Sequence, residues 1–179
     1  GSGGDIKLKV GTGDVGDGGD VEVRSGDSMS SAASGGDIRV VAGSGLNASD
    51  TGGNGGSVAI EAGKSFGASL SNYGGGVSIF AGNASVGPGG DLNFRTGYSN
   101  TSHSGSVLIE THESGTSGNS GSAELKTGTA INGVSGSVSL STGQATAGDS
   151  GAMALETGMS VDGAGGDIKL KVGSGDTGN

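Results

Sequence analysis

Three carboxylates, Asp14, Asp17 and Asp20, stand three residues apart in the stretch GTGDVGDGGD (residues 11–20). Oxygen ligands of this kind in a glycine-rich turn suit a hard cation, so the three are calcium candidates. Calcium-binding turn repeats need a nine-residue period with Asp at a fixed place in each turn. Here the spacing is nearer fifteen, and the Asp that follows Gly-Gly (Asp5, Asp20, Asp37, Asp91, Asp167) becomes Ser, Gly or Ala elsewhere. Hydrogen bonding to turn backbone is therefore the expected role of these carboxylates.

Other chemistry is sparse. His103 and His112 lack the spacing of a metal pair, and there is no cysteine to join them. No Gly-x-Ser-x-Gly lies between a strand and a helix pattern. The Gly-x-Gly runs read as turns, because no helix follows to hold a phosphate. We expect no catalytic residue, no metal and no cofactor. Asn47, Asn83 and Asn100 each begin an N-x-[ST] sequon, which makes them N-glycosylation candidates in a eukaryotic secretory route.

The elements that would position these residues come from a repeat. Cutting before each Gly-Gly or Ser-Gly pair gives eleven repeats, starting at Gly3, Gly18, Gly35, Gly55, Gly74, Gly89, Ser104, Ser120, Ser135, Ser150 and Gly165. Most are fifteen residues long; the second, third and fourth reach seventeen, twenty and nineteen. The fourth and sixth positions are an apolar pair, as in Ile6/Leu8, Val21/Val23, Ile38/Val40, Val58/Ile60 and Ile168/Leu170. Spacing of two predicts a strand with one covered face. The eighth position shares that face and is small or β-branched: Ala42, Ala62 and Ala81, then Thr96, Thr111, Thr127, Thr142 and Thr157. A glycine follows in ten of the eleven repeats, marking where the chain leaves the strand; His112 is the exception.

One repeat cannot bury its own pair, but stacked repeats can. The sequence thus predicts an all-β fold, a parallel β-solenoid of about eleven coils with a thin aliphatic core and no helices. Aliphatics worth about 2 kcal/mol each do not alone offset the backbone entropy of so glycine-rich a chain, so a hydrogen-bonded ladder between coils must supply the rest. Outward columns such as Lys7, Glu22, Arg39 and Arg95, Glu110, Lys126 alternate in sign, as in-register stacking would favour. The threonine column also suggests an ice-binding ladder, but its parity places it inward.

The apolar exceptions gather in the longer repeats. Leu46, Phe66, Leu70 and Tyr73 lie in loops, and Val41 and Phe80 occupy the outward seventh position. They are candidate interface residues for a glycan, ice or a partner chain. The competing expectation is that they fold back on their own coil as a local mini-core.

Composition narrows the partners. Of 179 residues, 44 are Gly, one is Pro and none is Cys; the formal net charge is −9. The acidic balance offers no basic patch for nucleic acid. No apolar run approaches the roughly 20 residues of a membrane span, and nothing reads as a signal peptide. Only 30% is hydrophobic, well below a compact domain.

The units SGSVSLSTG (135–143), GGSVAIEAG (55–63) and GGDIRVVAG (35–43) resemble the Gly/Ser-rich tandem-repeat arrays of extracellular β-solenoid proteins of diatoms and oomycetes. They are more loosely similar to filamentous-haemagglutinin-type adhesin repeats. The resemblance implies a structural role: a segment of a long extracellular filament or adhesive fibre at a cell surface, self-associating end to end or side by side, with a glycan or matrix partner. It implies no catalytic residue. The alternative is a ligand-binding solenoid that uses the insertions of coils two to four. Residues 1–17 match 163–179 at 13 of 17 positions, which suggests a super-repeat of 162 residues and a single continuous solenoid cut from a longer tandem array.

Overall fold

The computed structural model describes residues 3–49 and 52–175. The outer parts of the terminal match, residues 1–2 and 176–179, lie outside this range. The chain divides into two bodies, Gly1–Asn93 and Phe94–Asn179. Among the described residues of both there is no helix and no strand. The expected parallel β-solenoid is therefore corrected: neither its coils nor its ladder forms. The chain is non-globular coil, in which extended segments alternate with bends and loops.

Two quantities show how little is folded away. The chain exposes 18187 Å². A compact monomer of 16.7 kDa would expose about 7,600 Å² and its extended chain about 24,000 Å². Backbone pairing is equally thin, with eight backbone–backbone hydrogen bonds among the described residues, against about one per residue in a folded protein. No hydrophobic side chain among them is buried.

The physical reason lies in the weakness of each repeat. Two aliphatics per repeat are set against the ordering of about fifteen residues, many of them glycine, the residue with most freedom to lose. The ladder that had to offset this cost is non-local. It needs every loop to return its segment in register, and in Gly1–Asn93 the repeats run from fifteen to twenty residues. The charge columns follow suit. Every ion pair among the described residues is local: Lys7–Asp5 at 3.9 Å, Arg24–Asp27 at 2.6 Å, Lys126–Glu124 at 2.8 Å and Lys169–Asp167 at 3.2 Å. None joins two repeats, so the sign alternation between neighbouring coils does no pairing here.

The local pattern does survive. Side chains two apart meet in three of those ion pairs, as extended backbone requires. Outside the first repeat, where the order is reversed, the apolar fourth-position residue is more covered than its sixth-position partner, as in Val21/Val23 (55% against 70% exposed) and Ile168/Leu170 (49% against 86%). Bends recur once per repeat, at residues 85–87, 100–102, 116–118, 131–133, 146–148 and 161–163. In two of these, Gly118 and Gly148 take φ of +133° and +102°, conformations that side-chain-bearing residues rarely adopt.

What closes each loop is a narrow neck. The glycine at the ninth position of one repeat accepts from the amide of the second-position glycine of the next: Gly36 N–H to Gly26 O (2.9 Å), Gly56 to Gly43 (2.8 Å), Gly75 to Gly63 (2.9 Å), Gly90 to Gly82 (2.9 Å) and Gly105 to Gly97 (2.9 Å). The eighth-position side chain leans on the same second-position glycine. A Cβ on Gly36 would lie 3.3 Å from Ser25 Cβ, one on Gly75 3.4 Å from Ala62 Cβ, and one on Gly105 3.3 Å from Thr96 Cβ. Ser25 adds a hydroxyl bond to Gly36 O at 2.7 Å. Ser25, Ala42, Ala62, Ala81 and Thr96, the eighth-position residues of these five necks, are half-buried, a state otherwise reached among the described residues only by Gly52. In the later repeats the contact persists without the bond: Cβ atoms on Gly121 and Gly136 would lie 3.6 Å from Thr111 Cβ and 3.5 Å from Thr127 Cβ.

Candidate interaction surface

Each extended segment offers its backbone and its apolar pair to solvent. Both follow from the sequence: alternation fixes which side chains share a face, and the absence of a ladder leaves that face uncovered. The result is a series of short apolar patches, one per repeat, fifteen to twenty residues apart in the sequence.

In the body Gly1–Asn93 the longer loops add to this surface. Leu46 is 90% exposed, Phe66 93%, Leu70 99%, Tyr73 83%, Phe80 87% and Val41 65%. The expected mini-core is corrected by these values, since side chains folded over their own repeat would be covered. The loop turns are held by short polar contacts instead. Ser71 N–H donates to Ser69 Oγ at 3.3 Å, and Asn72 N–H to Ser69 O at 3.0 Å. Such turns need no apolar support, which frees Phe66 and Leu70 to face water.

In the body Phe94–Asn179 a shallow recess of about 440 Å³ is lined by Phe94, Arg95, Thr96 and Ser106–Ile109. Sequence reasoning did not single it out. The signal was present at Val107-Leu108-Ile109, where an apolar residue takes the outward fifth position and interrupts the alternation. Arg95 gives the recess its one charged side chain; the remainder is apolar or hydroxyl. Such a hollow can hold a small apolar group but converges no acid, base or nucleophile.

The remaining candidate residues stay apart. Among the described residues, no three His, Cys, Asp or Glu side chains come together in a group able to hold a metal ion. Asp14 lies in the bend at residues 14–16; Asp17 and Asp20 follow it, all three exposed. The Asp17 carbonyl would lie 2.8 Å from a Cβ on Gly13, so that turn is tight around its backbone. His112 Nδ1 accepts from Glu113 N–H at 2.9 Å, and His103 Nδ1 lies 3.4 Å from Ser102 Oγ; both are contacts with the adjacent residue.

The sequon asparagines Asn47, Asn83 and Asn100 are all exposed. Asn47 Oδ1 accepts from Ser49 N–H at 3.0 Å, closing an Asx turn across its own sequon. Ser99 Oγ accepts from Thr101 and Ser102 N–H at 3.3 and 3.0 Å, shaping the turn that carries Asn100. No helix among the described residues is long and apolar enough to cross a membrane.

No protein family, no curated protein and no solved structure matches the chain.

Proposed function

We propose that the chain is a structural protein, a repetitive segment of an extracellular filament or adhesive fibre at a cell surface. It works as a coreless, extensible chain whose repeated apolar pairs engage neighbouring copies. One observation carries this reading. The same exposed apolar pair recurs along each body, among the described residues it makes no backbone–backbone hydrogen bond, and a second copy presents the same pairs at the same intervals of sequence. Repetition then supplies avidity from many weak contacts. The reading assigns no catalytic residue and no cofactor.

Net charge opposes this association. At −9 the copies repel, and screening shortens that repulsion from about 10 Å at 0.1 M salt to about 3 Å at 1 M. Sedimentation velocity across a concentration series at both salts tests the proposal. Assemblies that grow with concentration and with salt, and appear as fibres by electron microscopy, are expected. A monomer at every concentration and salt would contradict it.

A second reading is favoured by the exposed loop residues of Gly1–Asn93. Phe66, Leu70 and Tyr73 offer large apolar contacts at loop tips, where a glycan or a matrix protein could bind. Replacing Phe66 and Leu70 with Ala separates the two readings. Loss of glycan-array signal with assembly intact favours the binding module; assembly itself needs the apolar pairs of all the repeats.

A further inference from the structure

The five hydrogen-bonded necks carry an inference that rests on the structural role proposed above. We propose that they are reversible clasps, each storing a loop of chain that tension releases, so that the segment lengthens without unfolding any core.

The energetics suit a clasp. Each neck holds one backbone hydrogen bond, which shifts an open–closed equilibrium by about two- to tenfold net, and one small side-chain contact. Loop closure opposes it with a penalty that scales as the 3/2 power of loop length, about twenty- to fortyfold for loops of seven to twelve residues. Bond and contact together are of the same order as this penalty, so a neck opens and recloses readily. The glycine pair lets the two backbones approach to 2.8–2.9 Å. The small eighth-position residue fills the remaining space at the junction. The loops between closing glycines whose residues are all described, 27–35, 64–74, 83–89 and 98–104, are rich in Gly, Ser and Asn, which resist neither folding back nor extension. At about 3.3–3.6 Å per residue, each stores about 25–40 Å of contour.

The chain has no native cysteine, and neck geometry suits a disulfide, which wants Cβ atoms about 3.5–4.5 Å apart. Cβ atoms at Ala81 and Gly90 would lie 3.6 Å apart, within that range, and those at Ser25 and Gly36 3.3 Å apart, slightly short of it. The test uses the full chain carrying S25C with G36C, or A81C with G90C. The control carries S30C with V41C, which has the separation of the first pair but spans no neck. The neck pairs are expected to oxidise at least about tenfold faster than the control, through proximity alone. In single-molecule stretching, each oxidised neck shortens the contour by its loop, and reductant restores it. The unmodified chain should extend smoothly at low force. A third variant, with Val at Gly36, Gly56, Gly75, Gly90 and Gly105, should begin longer at the lowest force and reach the same final contour.

Equal oxidation of neck and control pairs would overturn the proposal, because no neck would then exist in solution. So would identical low-force extension of the unmodified and Val-substituted chains, because the necks would store no length. Both readouts concern single molecules, so a chain that never assembles leaves them intact; failure of the clasp and failure of the structural role are told apart.

Discussion

Heated in a calorimeter, the full chain is expected to show no cooperative heat-absorption peak. A folded domain absorbs about 0.7 kcal/mol per residue near 60 °C, which for 179 residues comes to about 125 kcal/mol. That heat is absorbed in breaking a packed core and its hydrogen bonds together. Here Val58 and Ile60 are already 54% and 72% exposed, and Val138 and Leu140 52% and 72%. The backbone makes eight internal bonds among the described residues, five of them at separate necks. The necks share no side chains, so they open independently and spread their small heats over a wide range. Truncating Ile60 or Leu140 to Ala is likewise expected to leave the scan unchanged, where a buried aliphatic would cost about 2–5 kcal/mol. A sharp peak of the folded-domain size would contradict this.

Proteolysis carries the second large expectation. Trypsin should cut after Arg39, Lys64, Arg95 and Lys126 nearly as fast in buffer as in denaturant. A domain of ordinary stability opens in only about one molecule in 10³ to 10⁸ and is protected accordingly. The extended segments around these residues have no partner strand to leave before entering a protease, which itself binds its substrates extended. The Arg24–Asp27 and Lys126–Glu124 pairs do not shield them, because their side chains are two-thirds or more exposed and exposed pairs are worth about 0–1 kcal/mol. Rates within about threefold of the denatured chain are expected. A resistant fragment spanning several repeats would contradict the account.

Part of the local structure was legible in the sequence. The apolar pair at positions four and six predicted a strand with one covered face; no strand forms among the described residues, and both members of each pair stay exposed, as in Val21/Val23 at 55% and 70%. The ninth-position glycine was read as the point where the chain leaves a strand; no strand forms among the described residues and none of these glycines takes a positive φ there, but Gly26, Gly43, Gly63, Gly82 and Gly97 are the loop bases. The eighth position was read as inward and small. Ser25, Ala42, Ala62, Ala81 and Thr96 are half-buried, against a glycine of the next repeat and not against a stacked coil, whereas Thr111, Thr127, Thr142 and Thr157 are exposed.

What failed was the step from segment to sheet. Alternation says which side chains share a face; it does not say which segment lies alongside, because pairing depends on loops returning the chain in register. Loops here of seven to twelve residues close on their own bases. The same limit explains the interface residues. Phe66, Leu70 and Tyr73 were noticed for their rarity, yet composition could not decide between a mini-core and exposure. The decision rests on Ser69 and its neighbours, whose hydroxyl–backbone bonds shape the loop without apolar help. The recess beside Phe94 and Leu108 needed the same non-local information, although the broken alternation at Leu108 marked the place.

Hydrogen exchange resolved by residue tests the central claim, that the repeats are locked at their necks and nowhere else. The amides of Val21, Val23, Ile38, Val40, Val58 and Ile60 are expected to exchange at intrinsic rates. Those of Gly36, Gly56, Gly75, Gly90 and Gly105 should be slowed by no more than about tenfold, the worth of one net hydrogen bond. Protection of a thousandfold or more, recurring across the extended segments of successive repeats, would contradict the account.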